Sequence, residues 1–196
     1  MNRDFDQVPF SRRSFFALAV LPIALGSAPA FAAADAESFV SSVGNGVLAA
    51  ARSNSVGQFR SILNTSADVR TIAIYSLGPY RKNLTKDLER QYVALVEDYI
   101  SKVFASHSKS LAGQKLEVIG SSDAGDSTMV RSEIVFGGGR SVPVTWRLIR
   151  RGGSYRVFDV NVDGVWLAST QKTNFTSVLK KSGGDISALL AYLQRQ

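Results

Sequence analysis

Residues 153–167, with the sequence GSYRVFDVNVDGVWL, constrain the fold more than any other segment of the chain. Their side chains alternate between two faces, with Phe158, Val160 and Val162 on one face and Val157, Asp159 and Asn161 on the other. A period of two is typical of a β-strand with one buried face. Three shorter alternating segments precede this one, and the turn-rich sequences SSDAGD, GGGR and RRGG separate them. We therefore predict that this strand lies centrally in a curved antiparallel sheet.

The other strands are predicted over residues 115–119, 128–136 and 142–149. Alternation assigns one set of apolar side chains to a common face: Val130, Ile134, Phe136, Val142, Val144, Trp146 and Leu148. A sheet with one apolar face needs helices over that face. Apolar residues at helical spacing predict such helices over residues 36–51, 56–63, 68–76, 85–104, 172–182 and 186–193. The predicted fold class is α+β, with a twisted antiparallel sheet of four to five strands covered by helices.

The N-terminus has the three parts of a secretory signal peptide. The paired arginines of SRRSFF precede an apolar segment over residues 15–25, and the small-x-small sequence AFA follows at residues 30–32. The apolar segment is shorter than the roughly 20 residues that a membrane-spanning helix needs, and the paired arginines are also typical of a twin-arginine signal. We predict a signal peptide over residues 1–32 and a single domain over residues 33–196, outside the cytoplasm. A lipoprotein anchor is excluded because the chain has no cysteine.

The chain is basic, with a formal net charge of +7. The predicted signal peptide carries three arginines and two aspartates, so its removal lowers that charge by one. A positive balance favours anionic lipid surfaces, acidic partner proteins or nucleic acid as ligands, and export makes nucleic acid the least favoured of these. The alternative is that scattered lysines and arginines serve solubility alone.

Candidate catalytic groups are few. The only histidine, His107, follows Ser106, but a catalytic Ser–His pair also needs an orienting acid and an oxyanion site, which adjacency in sequence does not supply. Its position at the end of a predicted helix favours a structural role. Asp159 and Asp163 are the acids beside the last long strand, and we predict that Asp159 stabilises neighbouring turns. We predict that the protein is not an enzyme.

Four segments together resemble the MlaC family, also called the toluene-tolerance Ttg2 proteins. The segments are YSLGPYRKNL at residues 75–84, SVPVTWRL at 141–148, YRVFDVNVDGVWL at 155–167 and NFTSVLKKSGGDISALLAYL at 174–193. The resemblance extends over roughly residues 39–193. Tyr155 departs from it because many relatives have tryptophan there, and Gln171 and Lys172 replace a tyrosine–arginine pair that is frequent in the family.

The resemblance implies a twisted sheet similar to the NTF2-like fold, with helices around a deep apolar cavity for acyl chains. Family members are soluble periplasmic carriers that pass phospholipid between an outer-membrane lipoprotein complex and an inner-membrane ABC lipid transporter, which maintains outer-membrane lipid asymmetry. For this chain the resemblance therefore implies a phospholipid cargo, no cofactor, no nucleic acid partner, no stable membrane anchor and a monomeric state. The alternatives are a carrier of hopanoid or another apolar lipid, an enzyme of NTF2-like fold, and a periplasmic interaction protein without cargo, which would have a filled rather than a hollow core.

A phospholipid cargo requires a large apolar surface. Each methylene contributes about 0.8 kcal/mol when it leaves water, so a carrier must cover both acyl chains within a cavity on the order of 1,000 Å³. We predict that the wall is formed by Leu77, Tyr80, Tyr92, Val96, Tyr99, Val118, Val144, Trp146, Val160, Val162 and Trp166. We predict that lipid phosphates or acidic partner surfaces are contacted by Arg81, Lys82, Arg147, Arg150 and Arg151.

Overall fold

The computed structural model describes residues 28–113 and 115–196, with side chains from residue 33 onward. Most of the predicted signal peptide therefore lies outside the described residues. The elements follow the order α1 Ala28–Ser53, α2 Val56–Ser66, α3 Val69–Ser76, a 3₁₀ turn Gly78–Asn83, α4 Lys86–Ser106, α5 Ser108–Leu111, β1 Lys115–Ala124, β2 Ser127–Val135, β3 Ser141–Arg151, β4 Ser154–Val162, β5 Val165–Trp166, α6 Leu167–Lys181 and α7 Ile186–Gln194. None of these helices is both long enough and apolar enough to span a membrane.

The strands form one antiparallel sheet in the order β1-β2-β3-β4-β5. The predicted α+β class and the strand number are confirmed. The central strand is β3, so the prediction that the strand within residues 153–167 is central was wrong. The reason is the very short β5, which turns back after Gly164 and leaves β4 next to the edge of the sheet.

A β-bulge interrupts the pairing of β4 with β3. Asp159 lies opposite Arg147 of β3. Val157, two residues earlier, lies opposite the very next β3 residue, Leu148. Phe158 is therefore an extra residue that has no partner in β3, and such a residue shifts the side-chain alternation by one position.

The bulge changes which side chains of β4 share a face. Val157 joins Val160 and Val162 in the apolar core on one face of the sheet, and it is only 7% exposed. Phe158 instead packs edge-on against Tyr75 of α3, with ring centroids 5.3 Å apart. The predicted grouping of Phe158 with Val160 and Val162, and of Val157 on the other face, was therefore wrong, because simple alternation does not anticipate an inserted residue.

A second bulge extends β1 beyond the predicted end at Ile119. Val118 pairs with Ser132 and Gly120 pairs with Arg131, so Ile119 is the extra residue there. Its side chain is 58% exposed. The strand continues through most of the sequence SSDAGD that was predicted as a turn.

Helix α1 lies against one face of the sheet and contacts β1 closely at Gly44. A Cβ atom at Gly44 would lie 2.4 Å from Cδ2 of Leu116, a distance at which atoms overlap. Gly44 therefore permits the close approach of helix and strand, although glycine costs up to about 1 kcal/mol in a helix interior.

Two main apolar clusters stabilise the described part of the chain. The first, the sheet cluster, lies between α1 and the sheet and comprises the buried residues Ala36, Val40, Val43, Leu48, Leu116, Val130, Ile134, Val144, Trp146, Leu148, Tyr155 and Val157. The second, the helix cluster, lies among α3, α4, α6 and α7 and comprises Ala73, Leu77, Tyr92, Val96, Phe175, Leu179, Ile186, Leu189, Leu190 and Leu193. Helices α3 and α6 also pack on β4 and so connect the two clusters.

Candidate functional site

An open groove of about 750 Å³ lies where α3, the 3₁₀ turn, β4 and α6 meet. We call it the α3–α6 groove. It is lined by Arg70, Thr71, Ile74, Tyr75, Gly78, Pro79, Arg81, Lys82, Phe158 and Lys172. The groove lies at the junction of the elements that connect the sheet cluster to the helix cluster.

The sequence Gly78-Pro79 brings the 3₁₀ turn against α6. Gly78 has a φ of +54°, a conformation that favours glycine, and Pro79 follows at the start of the turn. A Cβ atom at Gly78 would lie 3.0 Å from Cγ2 of Thr176 and 3.2 Å from Cε of Lys172. Helix α3 ends just before this dipeptide, at Ser76, and the turn that follows it fixes one wall of the groove.

Two aromatic rings form the floor of the groove. Tyr75 contacts Phe158 of β4 edge-on, and its hydroxyl lies 3.4 Å from Oγ of Ser169 on α6. The ammonium group of Lys172 lies 4.9 Å from the centroid of the Tyr75 ring, a geometry in which the ring attracts the cation. The floor is thus apolar at its centre and cationic at its edge.

Several cations surround this floor. Arg70 is paired with Glu89, with 2.6 Å between Nη2 and Oε1. Among the residues that the structure describes, no carboxylate lies within ion-pair distance of Arg81, Lys82 or Lys172. Three positive charges without a carboxylate partner therefore line the same groove as two aromatic rings, which suits a ligand that is anionic at one end and apolar at the other.

The predicted phosphate or partner contacts fall into two groups. Arg81 and Lys82 line the groove, whereas the three arginines of β3 are engaged within the protein. The guanidinium of Arg147 lies 4.5 Å from the Trp166 ring centroid, and Arg150 lies 4.3 Å from that of Tyr155. Their role in recognition stays a prediction.

The third arginine of β3, Arg151, forms an ion pair with Asp68, at 2.7 Å between Nε and Oδ2. Asp68 also caps α3 by accepting a hydrogen bond from the Thr71 backbone N–H at 3.0 Å. Burial acts to raise the pKa of Asp68, but the hydrogen bonds from Thr71 and the contact with Arg151 outweigh it and hold the pKa below its usual value. This ion pair fastens the β3–β4 hairpin to the start of α3.

The predicted wall residues occur in both clusters. In or against the helix cluster lie Leu77, Tyr80, Tyr92, Val96 and Tyr99. In or against the sheet cluster lie Val118, Val144, Trp146, Val160 and Val162. Trp166 pairs with Asn161 across the sheet, so it lies on the face opposite Val160. The structure thus brings ten of the eleven predicted residues together as two packed groups and places Trp166 in neither; contact of all eleven with cargo stays a prediction.

Two of these wall residues have polar groups that the protein itself satisfies. The indole N–H of Trp146 donates to Oγ of Ser132 at 2.8 Å, and Ser132 is 1% exposed. The hydroxyl of Tyr92 donates to the carbonyl of Ala73 at 2.9 Å, and burial raises the pKa of Tyr92. Periodicity identified both aromatic residues as apolar, but it did not identify their hydrogen-bond partners.

Asp159 holds the start of α6 in place. It is 4% exposed, and its Oδ1 accepts backbone hydrogen bonds from Val160 and Ala168, each at 2.8 Å. Burial raises the pKa of Asp159, whereas these hydrogen bonds and the nearby Arg147 favour its charged form. The prediction that Asp159 stabilises neighbouring turns is confirmed by these contacts.

His107 lies at the end of α4, where its Nδ1 is 2.9 Å from the carbonyl oxygen of Val103 and 3.1 Å from Oγ of Ser106. These contacts are local to the last turn of the helix. The residues that the structure describes include no group of three or more His, Cys, Asp or Glu side chains arranged to hold a metal ion.

The chain is similar to known proteins in sequence and in fold. The family model of the MlaC protein matches residues 41–195. A solved structure of a phospholipid-binding protein from Ralstonia solanacearum, in complex with a phospholipid, superimposes with a TM-score of 0.70. The two chains are 21% identical, and the match covers 82% of this chain and 96% of the other.

Proposed function

Because this chain belongs to the MlaC family, we propose that it binds a phospholipid and carries it through the periplasm between outer-membrane and inner-membrane complexes. The observation that carries the proposal is the family match over residues 41–195, which spans the helix cluster, the α3–α6 groove and all of the sheet cluster except Ala36 and Val40. The similar protein from Ralstonia solanacearum holds a phospholipid, and this supports the same class of cargo here. A carrier in this role maintains outer-membrane lipid asymmetry and works as a monomer.

In this proposal the acyl chains lie between the sheet cluster and the helix cluster, and the α3–α6 groove is the entrance. Ile74, Tyr75 and Phe158 line the groove on the elements that join the two clusters. The groove volume of about 750 Å³ is within the range of ordinary ligand pockets. It holds a headgroup and glycerol, whereas two acyl chains require the clusters to move apart.

Filling the space between the clusters has a clear driving force. Each acyl methylene that is removed from water contributes about 0.8 kcal/mol. Burial of the roughly thirty methylenes of a phospholipid therefore compensates for the side-chain contacts that are lost when the clusters separate. The predicted wall residues on both clusters, such as Val96 and Val160, would then contact the chains instead of their present neighbours.

A binding role accounts for the polar groups better than catalysis does. The Asp159 carboxylate accepts backbone hydrogen bonds from Val160 and from Ala168 at the start of α6, and the His107 ring contacts the Val103 carbonyl at the end of α4. General acid–base catalysis requires such groups to face a bound substrate. We therefore favour a carrier over an enzyme of the same fold.

Native mass spectrometry of the mature protein, purified without detergent, tests the proposal, with extraction and identification of bound lipid. We expect near-stoichiometric phospholipid. A bound hopanoid would redirect the proposal to that cargo. Protein that is empty, and that also takes up no lipid from phosphatidylcholine vesicles, would refute the carrier role.

The position of the entrance can be tested separately, because the chain has no cysteine. Tyr75→Cys and Phe158→Cys place thiols on the two sides of the groove floor, and a short reducible bis-thiosulfonate reagent bridges them. We expect the bridged protein to lose lipid uptake and to regain it on reduction, with the two single-cysteine variants unaffected by the reagent. Normal uptake by the bridged protein would place the entrance elsewhere.

A further inference from the structure

We infer that the α3–α6 groove selects phospholipids whose headgroup carries a net negative charge. The inference rests on the proposed phospholipid-binding function and goes beyond it by naming the headgroup class. The observation behind it is that Arg81, Lys82 and Lys172 converge on one groove from two different elements.

The charge balance of the groove is strongly positive. The fourth cation, Arg70, is neutralised by Glu89, but the other three have no carboxylate partner among the described residues. A single phosphodiester offsets only one of these three charges. A zwitterionic headgroup would bring its own amine into a site that is already positive, whereas phosphatidylglycerol adds no further cation.

Lys172 is held in the groove by its surroundings. Its ammonium group lies over the Tyr75 ring at 4.9 Å from the centroid, and its methylenes lie against Gly78, where an added Cβ would be 3.2 Å from Cε. A side chain that is already positioned loses less rotamer freedom when it binds an anion. Lys172 therefore acts as a fixed charge at the edge of the aromatic floor.

The turn that carries Arg81 and Lys82 is also anchored. The side-chain amide of Asn83 donates to the carbonyl of Gly184 at 2.9 Å. Gly184 has a φ of +87°, and a Cβ atom there would lie 2.8 Å from Nδ2 of Asn83 and 3.1 Å from Cδ1 of Tyr80. The turn thus packs closely on the segment between α6 and α7, and this contact fixes the wall of the groove that carries Arg81 and Lys82.

The aromatic floor favours a lipid over an acidic protein segment as the ligand. Tyr75 and Phe158 are in contact at the base of the groove, and the ammonium group of Lys172 lies over the Tyr75 ring, so the site combines a polar edge with an apolar base. A headgroup that continues into glycerol and acyl chains has the same order of polarity. An acidic peptide would leave the apolar floor unused.

The test equilibrates delipidated protein with vesicles that contain equal amounts of phosphatidylcholine and phosphatidylglycerol with identical acyl chains. Native mass spectrometry then gives the ratio of the two lipids bound. Because exposed ion pairs each contribute modestly, we expect about fivefold enrichment of phosphatidylglycerol at low salt, which decreases as salt is added. The double variant Arg81→Glu with Lys172→Glu should bring the ratio close to one.

Lys180→Glu with Lys181→Glu is the matched control. Both lysines lie on the same helix as Lys172 and are exposed outside the groove, so this change lowers the net charge by the same amount without altering the site and should leave the ratio unchanged. Inorganic phosphate, compared with chloride at equal ionic strength, should also leave it unchanged. A loss of enrichment specific to phosphate would assign the groove to free phosphate and overturn the inference.

The remaining outcomes separate this inference from the carrier proposal. Equal binding of both lipids by the wild type would overturn the inference and leave the carrier function intact. Enrichment that persists in the double variant would place the selecting charges elsewhere, and it would also overturn the inference. If the variant kept the enrichment but lost transfer to partner complexes, the groove would be a protein-docking site instead. Absence of both lipids from the wild type would refute the carrier function itself.

Discussion

Removal of the Ser132 hydroxyl is expected to destabilise the fold, because it leaves a buried donor without a partner. The Trp146 indole N–H donates to Oγ of Ser132 at 2.8 Å, and these residues are 5% and 1% exposed, respectively. Water cannot replace the lost acceptor at such burial. The Ser132 hydroxyl also donates to the carbonyl of Val144 at 3.2 Å, so Ser132→Ala removes two hydrogen bonds.

The magnitude follows from the cost of an unsatisfied buried polar group, which is about 1–3 kcal/mol. We expect Ser132→Ala to lower the free energy of unfolding by about 2 kcal/mol. With a urea dependence of about 2 kcal/mol per molar, the unfolding midpoint decreases by about 1 M. Far-ultraviolet circular dichroism of delipidated protein measures this midpoint, since bound lipid would raise the apparent stability.

Trp146→Phe, alone and combined with Ser132→Ala, completes a double-mutant cycle. We expect the double variant to lose at least about 1 kcal/mol less than the sum of the single losses, because the orphaned donor is absent from it. Exposed Ser177→Ala on α6 is the control and should shift stability by less than about 0.5 kcal/mol. A similarly small loss for Ser132→Ala would refute the reasoning and indicate that the Trp146 indole faces water in solution.

Three further predictions concern stability measured by urea unfolding. Gly44→Ala should lower the free energy of unfolding by about 1–2 kcal/mol, because the added Cβ overlaps Leu116. Gly46→Ala, whose Cβ would have no contact closer than 3.5 Å, should raise it by up to about 1 kcal/mol through helix propensity, and equal effects of the two changes would contradict the close-approach explanation. Tyr92→Phe should cost about 1 kcal/mol through loss of its buried hydrogen bond, and an unchanged midpoint would argue against that bond. Asp68→Asn keeps a good capping residue but removes the charge that pairs with Arg151, so it should lower the free energy of unfolding by up to about 1 kcal/mol near neutral pH. Since the pKa of Asp68 is lowered on folding, this contribution is present above the unfolded pKa and is lost as pH falls through the folded pKa. The difference between the two proteins should therefore begin to shrink below about pH 4, and a constant difference would count against the linkage.

Periodicity predicted most of the fold because the helices and strands bury one regular face. The long helix α4, for instance, carries Tyr92, Val96 and Tyr99 at helical spacing, and all three lie in or against the helix cluster. The hairpin turns were predictable from their glycines. These are local properties, and they are visible in the sequence without any knowledge of what packs against them.

The bulges were not predictable in the same way. Val157, Phe158 and Val160 are all apolar, so the sequence permits either face for each of them, and only the pairing with β3 decides. The same holds for Ile119 in β1, where the apolar side chain of an inserted residue remains exposed.

The candidate site was only partly predictable. Arg81 and Lys82 were among the predicted contacts for lipid phosphates or acidic partners, but Lys172 was not, since α6 reaches the 3₁₀ turn only in the folded chain. For Arg150 the opposite holds: the sequence predicts a contact with lipid phosphates or acidic partners, and the folded chain places its guanidinium over the Tyr155 ring.

The extra residue in β4 also determines where the length of this strand can change. Deleting Phe158 would leave Val157 and Val160 facing the sheet cluster and Asp159 facing α6, because the alternation on both sides of the bulge is already that of a regular strand without it. Deleting Arg156 instead would move Tyr155 to the opposite face. In related chains a one-residue gap within this strand is therefore expected at Phe158, and with it would go one of the two rings that form the floor of the groove.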